Sequence, residues 1–128
     1  MTLKQAINYW LKSAERNFSA AKDLYKTKHY VECLFFCHLT IEKTLKALIV
    51  KNTDKAPLPI HHLPELSKKT GFKFSKKQLI LLGKINEFNI RTRYDNYKFK
   101  FYKKATKKYT KEYLEKVEKL FQWLKKSL

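Results

Sequence analysis

From Ile7 through Leu11, Ala14, Phe18, Ala21 and Tyr25, apolar side chains step along the sequence by three and four positions. They do so again from Tyr30 through Leu34, Cys37, Ile41, Leu45 and Leu48. This stepping lines one face of a helix and conflicts with the strict alternation of a half-buried strand. Two such stripes make long helices of residues 7–25 and 30–48 of the 128-residue chain. Two glycines and three prolines are too few to turn many short strands. The fold class read from this is all-α: an antiparallel up-and-down four-helix bundle with an additional short helix, residues 1–128 forming a single domain.

The boundaries follow from capping chemistry. Thr2 and Gln5 have capping-box spacing, so the first helix is predicted over residues 3–26. The second is predicted over 29–51. There Val31, Phe35, Phe36 and Leu39 fall partly outside the main stripe, and a helix apolar on more than one face belongs at the centre of a bundle. Pro57 and Pro59 make residues 52–60 a loop. A short helix opens at His61-His62-Leu63-Pro64 and is stopped by Gly71. Ser75 and Gln78 form a second capping box, followed by a buried stripe of Leu79, Leu82, Ile85 and Phe88 or Asn89. Helical patterning fades across Asn89–Tyr97. A loop dense in Lys, Tyr and Phe is expected from 95 to 108, before a last helix that begins near Thr110 and turns Tyr113, Val117, Leu120 and Leu124 inward.

The net charge is +18, and residues 65–128 carry 19 basic and 6 acidic groups against 10 and 5 in the first half. Such a field draws polyanions or an acidic protein partner. Lys outnumbers Arg 26 to 3, the pattern of lysines spread over every solvated face, so clustering says more than the total. No apolar run reaches the roughly 20 residues that span a bilayer, and the first residues lack the basic and apolar regions of a secretory leader. With Cys33 and Cys37 only four apart and suited to reduced thiols, a cytoplasmic location and no membrane contact are expected.

Several motifs occur in order along the chain. Trp10-Leu11 with Ala14-Glu15 is followed by Tyr30, then Ile41-Glu42-Lys43-Thr44-Leu45-Lys46-Ala47-Leu48. Next come His61-His62-Leu63 with Leu66, then Asn89-Ile90-Arg91-Thr92-Arg93-Tyr94-Asp95, and finally Trp123-Leu124-Lys125. In this set the chain resembles the HEPN domain family, small helical nucleotide-binding or RNA-processing modules. The resemblance implies a four- or five-helix bundle that pairs as a homodimer. It also implies the toxin-like or accessory half of a two-gene module whose other half is a small nucleotidyltransferase. Many active members are metal-independent ribonucleases marked by an Arg with a His several residues later. Arg91 or Arg93 could supply the arginine, but no histidine follows His62.

Three groups of residues are candidates for function. Arg91, Arg93, Tyr94 and Asp95 would be the catalytic set of a ribonuclease with an altered site, the guanidinium groups gripping phosphate oxygens. Tyr94, Tyr97 or Asp95 would have to replace the missing base, and a tyrosine of ordinary pKa about 10 is poor at that. The plainer reading is that Arg93, Tyr94 and Asp95 end a helix and pack at a dimer interface. From Arg91 to Lys111 stand nine basic residues and one acid, interleaved with aromatic residues. Arg91, Arg93, Tyr94, Tyr97, Lys98, Lys103 and Lys104 are the candidate RNA or nucleotide contacts, cations for phosphate and rings for bases. Against this, the rings could instead anchor the segment inward.

The third group is a possible polar pocket of Glu42, Lys43, Lys46, His61 and His62. In it, Glu42 pairs with Lys46 one turn on, as a local ion pair or as part of a site shared with Arg91–Asp95. For His61 and His62, capping or core hydrogen bonding competes with acid–base work. His29, Cys33 and Cys37 have zinc-ligand spacing on one helical face, but both cysteines fall where small core residues belong. Neither a metal nor another cofactor is expected.

Overall fold

The computed structural model describes the backbone of residues 1–93 and 95–128 and the side chains of residues 1–91 and 99–128. Among the described residues there are six helices and no strand: α1 (Leu3–Lys26), α2 (Tyr30–Thr53), α3 (Leu63–Lys69), α4 (Lys76–Arg93), α5 (Asp95–Lys104) and α6 (Lys107–Lys125). The capping signals act as their spacing predicts. Thr2 and Gln5 bond reciprocally at 2.9 and 3.1 Å, as do Ser75 and Gln78. Gly71, at φ +79°, takes the left-handed position just past α3 that a side chain with a Cβ adopts at a cost.

α2 is the axis of the fold. It packs against each of the other five helices, and its residues from Thr44 to Val50 are all buried. This is the arrangement its many-sided apolar surface calls for. α1 lays Ala14, Phe18 and Ala21 against it, and α6 contributes Tyr113, Val117, Leu120, Phe121 and Leu124. These side chains belong to one continuous core that includes Leu63, Leu66, Leu82, Ile85 and Phe88.

Two expectations are corrected. The stretch expected as a loop from 95 to 108 is mostly helix, α5, with α6 beginning at Lys107 after Thr106 as N-cap. Phe101 and Ala105, one turn apart, are both buried there, and Phe101 stacks on Phe88 with ring centroids 5.7 Å apart. Burial of that face stabilises a helix that local patterning barely signals. Leu79 is exposed rather than buried, because the inward stripe of α4 starts at Leu82 and continues through Ile85 and Phe88.

Candidate functional site

The polar group around Glu42 forms in the middle of the core helix. Residues 38, 42 and 46 are one turn apart on α2, so His38, Glu42 and Lys46 share a face. Lys46 Nζ donates to Glu42 Oε2 at 3.1 Å, and both side chains are almost wholly buried, Glu42 being 3% exposed. His61, in the segment leading to α3, donates from Nδ1 to the same carboxylate at 3.1 and 3.2 Å. His38 Nε2 donates to the His61 carbonyl at 3.1 Å, and its Nδ1 lies 3.7 Å from Glu42 Oε1. The His61 side chain is half exposed and covers the carboxylate from the solvent side. A carboxylate held this way is well satisfied, and it fastens the entry to α3 onto α2.

The remaining members of this group have separate tasks. Lys43 Nζ donates to Ser13 Oγ at 2.8 Å and lies 6.0 Å from the Trp10 ring centroid, with Lys46 Nζ at 5.4 Å from the same ring. His62 is the N-cap of α3 and accepts from the Glu65 backbone N–H at 3.2 Å. Asn86 Oδ1 accepts from the Leu63 backbone N–H at 3.0 Å and ties α4 to the start of α3. Neither His38 nor Asn86 is among the candidates read from the sequence, and Trp10 enters there only as part of the family resemblance. Of the first two only His38 left a signal, its position one turn before Glu42.

Arg91 lies elsewhere, at the corner of α4, α5 and α6. Its guanidinium carbon is 5.6 Å from the centroid of buried Phe101, and it is close enough to Tyr109 to pull that phenol's pKa down. The pull is outweighed: burial first, then Tyr113, push Tyr109 up to about 12. No hydrogen bond or ion pair joins Arg91, Lys103 or Lys104 to Glu42, Lys46 or His61 among the described residues, so the described contacts leave the two groups separate. The side chains of Arg93, Tyr94, Asp95, Tyr97 and Lys98 lie outside the described residues.

The aromatic residues of this region divide by direction. Phe101 is buried and Tyr109 half-buried, packed with Phe88 and Tyr113, so for these two the anchoring role holds. Phe99 and Tyr102 point outward, 68% and 53% exposed. Around them Lys100, Lys103, Lys104, Lys107 and Lys108 are all exposed, and Lys103 Nζ sits 4.9 Å from the Phe99 ring centroid. Exposed rings interleaved with solvated ammonium groups can stack bases and attract phosphates at the same time.

Cys33 and Cys37 are free and buried in the core. Hydrogen bonding with Cys33, followed by burial, pushes the Cys37 thiol well up. A thiol held neutral is a core residue rather than a ready thiolate ligand. His29 is exposed and is the N-cap of α2, with Nδ1 2.9 Å from Thr27 Oγ1.

Residues 7–127 match the family model of the HEPN domain. The chain belongs to the HEPN family. Among solved structures, this HEPN chain is similar to TT1696 from Thermus thermophilus, with a TM-score of 0.82 and 17% sequence identity. The match covers 95% of this chain and 98% of that one, and at such identity it is a likeness of fold. No curated protein matches the sequence. No described helix of the HEPN chain is long and apolar enough to cross a membrane.

Proposed function

We propose that this HEPN chain binds single-stranded RNA or nucleotides through α5 and the start of α6. The observation that carries the reading is the outward pair Phe99 and Tyr102, set among five exposed lysines, Lys100, Lys103, Lys104, Lys107 and Lys108. Lys103, Lys104 and Arg91 belong to the proposed surface, together with Arg93, Tyr94, Tyr97 and Lys98 from the adjoining segment. Binding is favoured over cleavage. The sequence has no histidine after His62, His61 is committed to Glu42, and His62 is committed to the α3 cap. The wider proposal is that residues 1–128 act as one domain in a cytoplasmic homodimer. That homodimer would be the toxin-like or accessory half of a two-gene module with a nucleotidyltransferase.

The test is fluorescence anisotropy with a labelled single-stranded RNA, in EDTA, on the intact protein and a Phe99→Ala/Tyr102→Ala variant. Base–aromatic stacking contributes about 1–3 kcal/mol per base, so the variant should bind at least about tenfold more weakly. Equal binding by the two proteins removes this surface from the reading. Metal-free cleavage lost in an Arg91→Ala/Arg93→Ala variant would instead establish the ribonuclease.

A further inference from the structure

α4 and α6 both rest on α2 yet meet one another chiefly at one end, where Phe88 packs on Tyr113 with centroids 5.3 Å apart. Away from that contact a groove of about 660 Å³ opens between them. Its floor is Ile80 and Leu81 from α4 with Leu120 and Trp123 from α6. Trp123 also packs at 5.8 Å on both Phe72 and Phe74, rings from the segment leading into α4. From Ser75 to Lys84 the groove follows α4 for about 14 Å, the rise of some two and a half helical turns.

The rim is cationic. Lys77 and Lys84 stand on α4, with Lys116 and Lys119 on α6. Lys116 is already paired with Glu112 at 3.1 Å. Among the described residues Lys77, Lys84 and Lys119 have no ion pair. An apolar floor, with Ile80 59% exposed, thus lies inside a rim of three uncompensated ammonium groups.

The chemistry selects the occupant. A second copy paired groove to groove would bring its own Lys77, Lys84 and Lys119 against these. Single-stranded RNA needs open ring faces, whereas Tyr113 and Trp123 are engaged by neighbouring rings and the rest of the floor is aliphatic. An amphipathic helix with an apolar stripe and Asp or Glu on its flanks satisfies floor and rim together. We propose that the α4–α6 groove docks an acidic amphipathic helix of a second, different protein. This surface is distinct from α5, and the proposal does not depend on RNA binding.

The probe is a fluorescein-labelled synthetic helix of about 14 residues, the shortest length that holds some helicity in water. It carries Leu at helical spacing and Glu on both flanks. Controls are a scrambled peptide of the same composition and one with Lys in place of Glu. The full-length protein is compared with Ile80→Asp and with Lys84→Glu/Lys119→Glu, changes at positions chosen to leave the core intact. Expected is saturable binding of the acidic helix that weakens by at least about tenfold in both variants and with both control peptides. The indole N–H signal of Trp123, and not that of Trp10, should shift on binding. Equal affinity for the scrambled peptide, unchanged affinity in the variants, or a shift of Trp10 alone overturns the proposal. Concentration-dependent self-association abolished by Ile80→Asp also overturns it, because the groove would then be filled by a second copy.

Discussion

At Glu42 a carboxylate and the Lys46 ammonium have both been taken out of water, a desolvation cost of several kcal/mol per ion that their 3.1 Å contact and the His61 bond must offset. Such a pair is far more sensitive to losing one partner than to losing both. Glu42→Gln should lower stability by about 3 kcal/mol, since Lys46 is left buried without its counter-charge. Adding Lys46→Met should restore most of that, and urea unfolding of the single and double variants checks both. The Glu112–Lys116 pair has the same 3.1 Å separation but is half exposed, and Glu112→Gln should cost under about 1 kcal/mol in the same assay. Tyr109 gives a pH signature of opposite origin. Its folded pKa, pushed up to about 12 chiefly by burial, lies above the unfolded value of about 10. Its contribution is therefore complete below pH 10 and is lost as pH rises towards 12. Tyr109→Phe should flatten the fall of the melting temperature between about pH 10 and 12, the window set by those two values.

Helix α5 shows what a short element needs in order to exist. Its ten residues are too few for an isolated helix, and Phe101 stacked on Phe88 seats it on the core. Phe101→Ala should cost about 3 kcal/mol in urea unfolding and weaken RNA binding through the displaced helix. Phe99→Ala, two residues away and exposed, should change stability by under about 0.5 kcal/mol while weakening the same binding. The contrast also explains what could be read in advance. The stripes of α1 and α2 repeat over about five turns each and are unmistakable, as are the caps at Thr2 and Ser75. Among the described side chains α5 buries only Phe101, followed one turn on by Ala105, a faint apolar signal among lysines and aromatic residues whose outward or inward direction no spacing rule decides. Leu79 reads as inward only when the stripe of α4 is extended one step too far upstream. In the Glu42 group the one-turn pairing with Lys46 is legible. The grouping of His61 with Glu42 is legible too, whereas the bond His61 makes to the carboxylate and the approach of Trp10 to Lys46 depend on the folded chain.

For the whole molecule, the question is whether +18 acts as a diffuse cloud or through a place. A lysine-rich surface attracts any polyanion, so affinity alone does not separate the two. Salt dependence does, because each phosphate neutralised on a single strand contributes about −0.7 to the slope of log K against log salt. If the five exposed lysines from Lys100 to Lys108 all engage, the slope should be about −3.5. Replacing Lys103 and Lys104 by Gln should then reduce its magnitude by about 1.4. The same replacement at Lys4 and Lys12, exposed on α1, removes the same charge from the protein and should leave the slope unchanged. At an ionic strength of about 0.15 M, screening over about 8 Å confines each lysine's influence to its own neighbourhood. Equal reductions for the two pairs would mean that the whole surface binds and that α5 holds no privileged site. A reduction confined to the α5 pair would place the ligand beside Phe99 and Tyr102, where the rings can add stacking to an attraction that charge alone leaves unspecific.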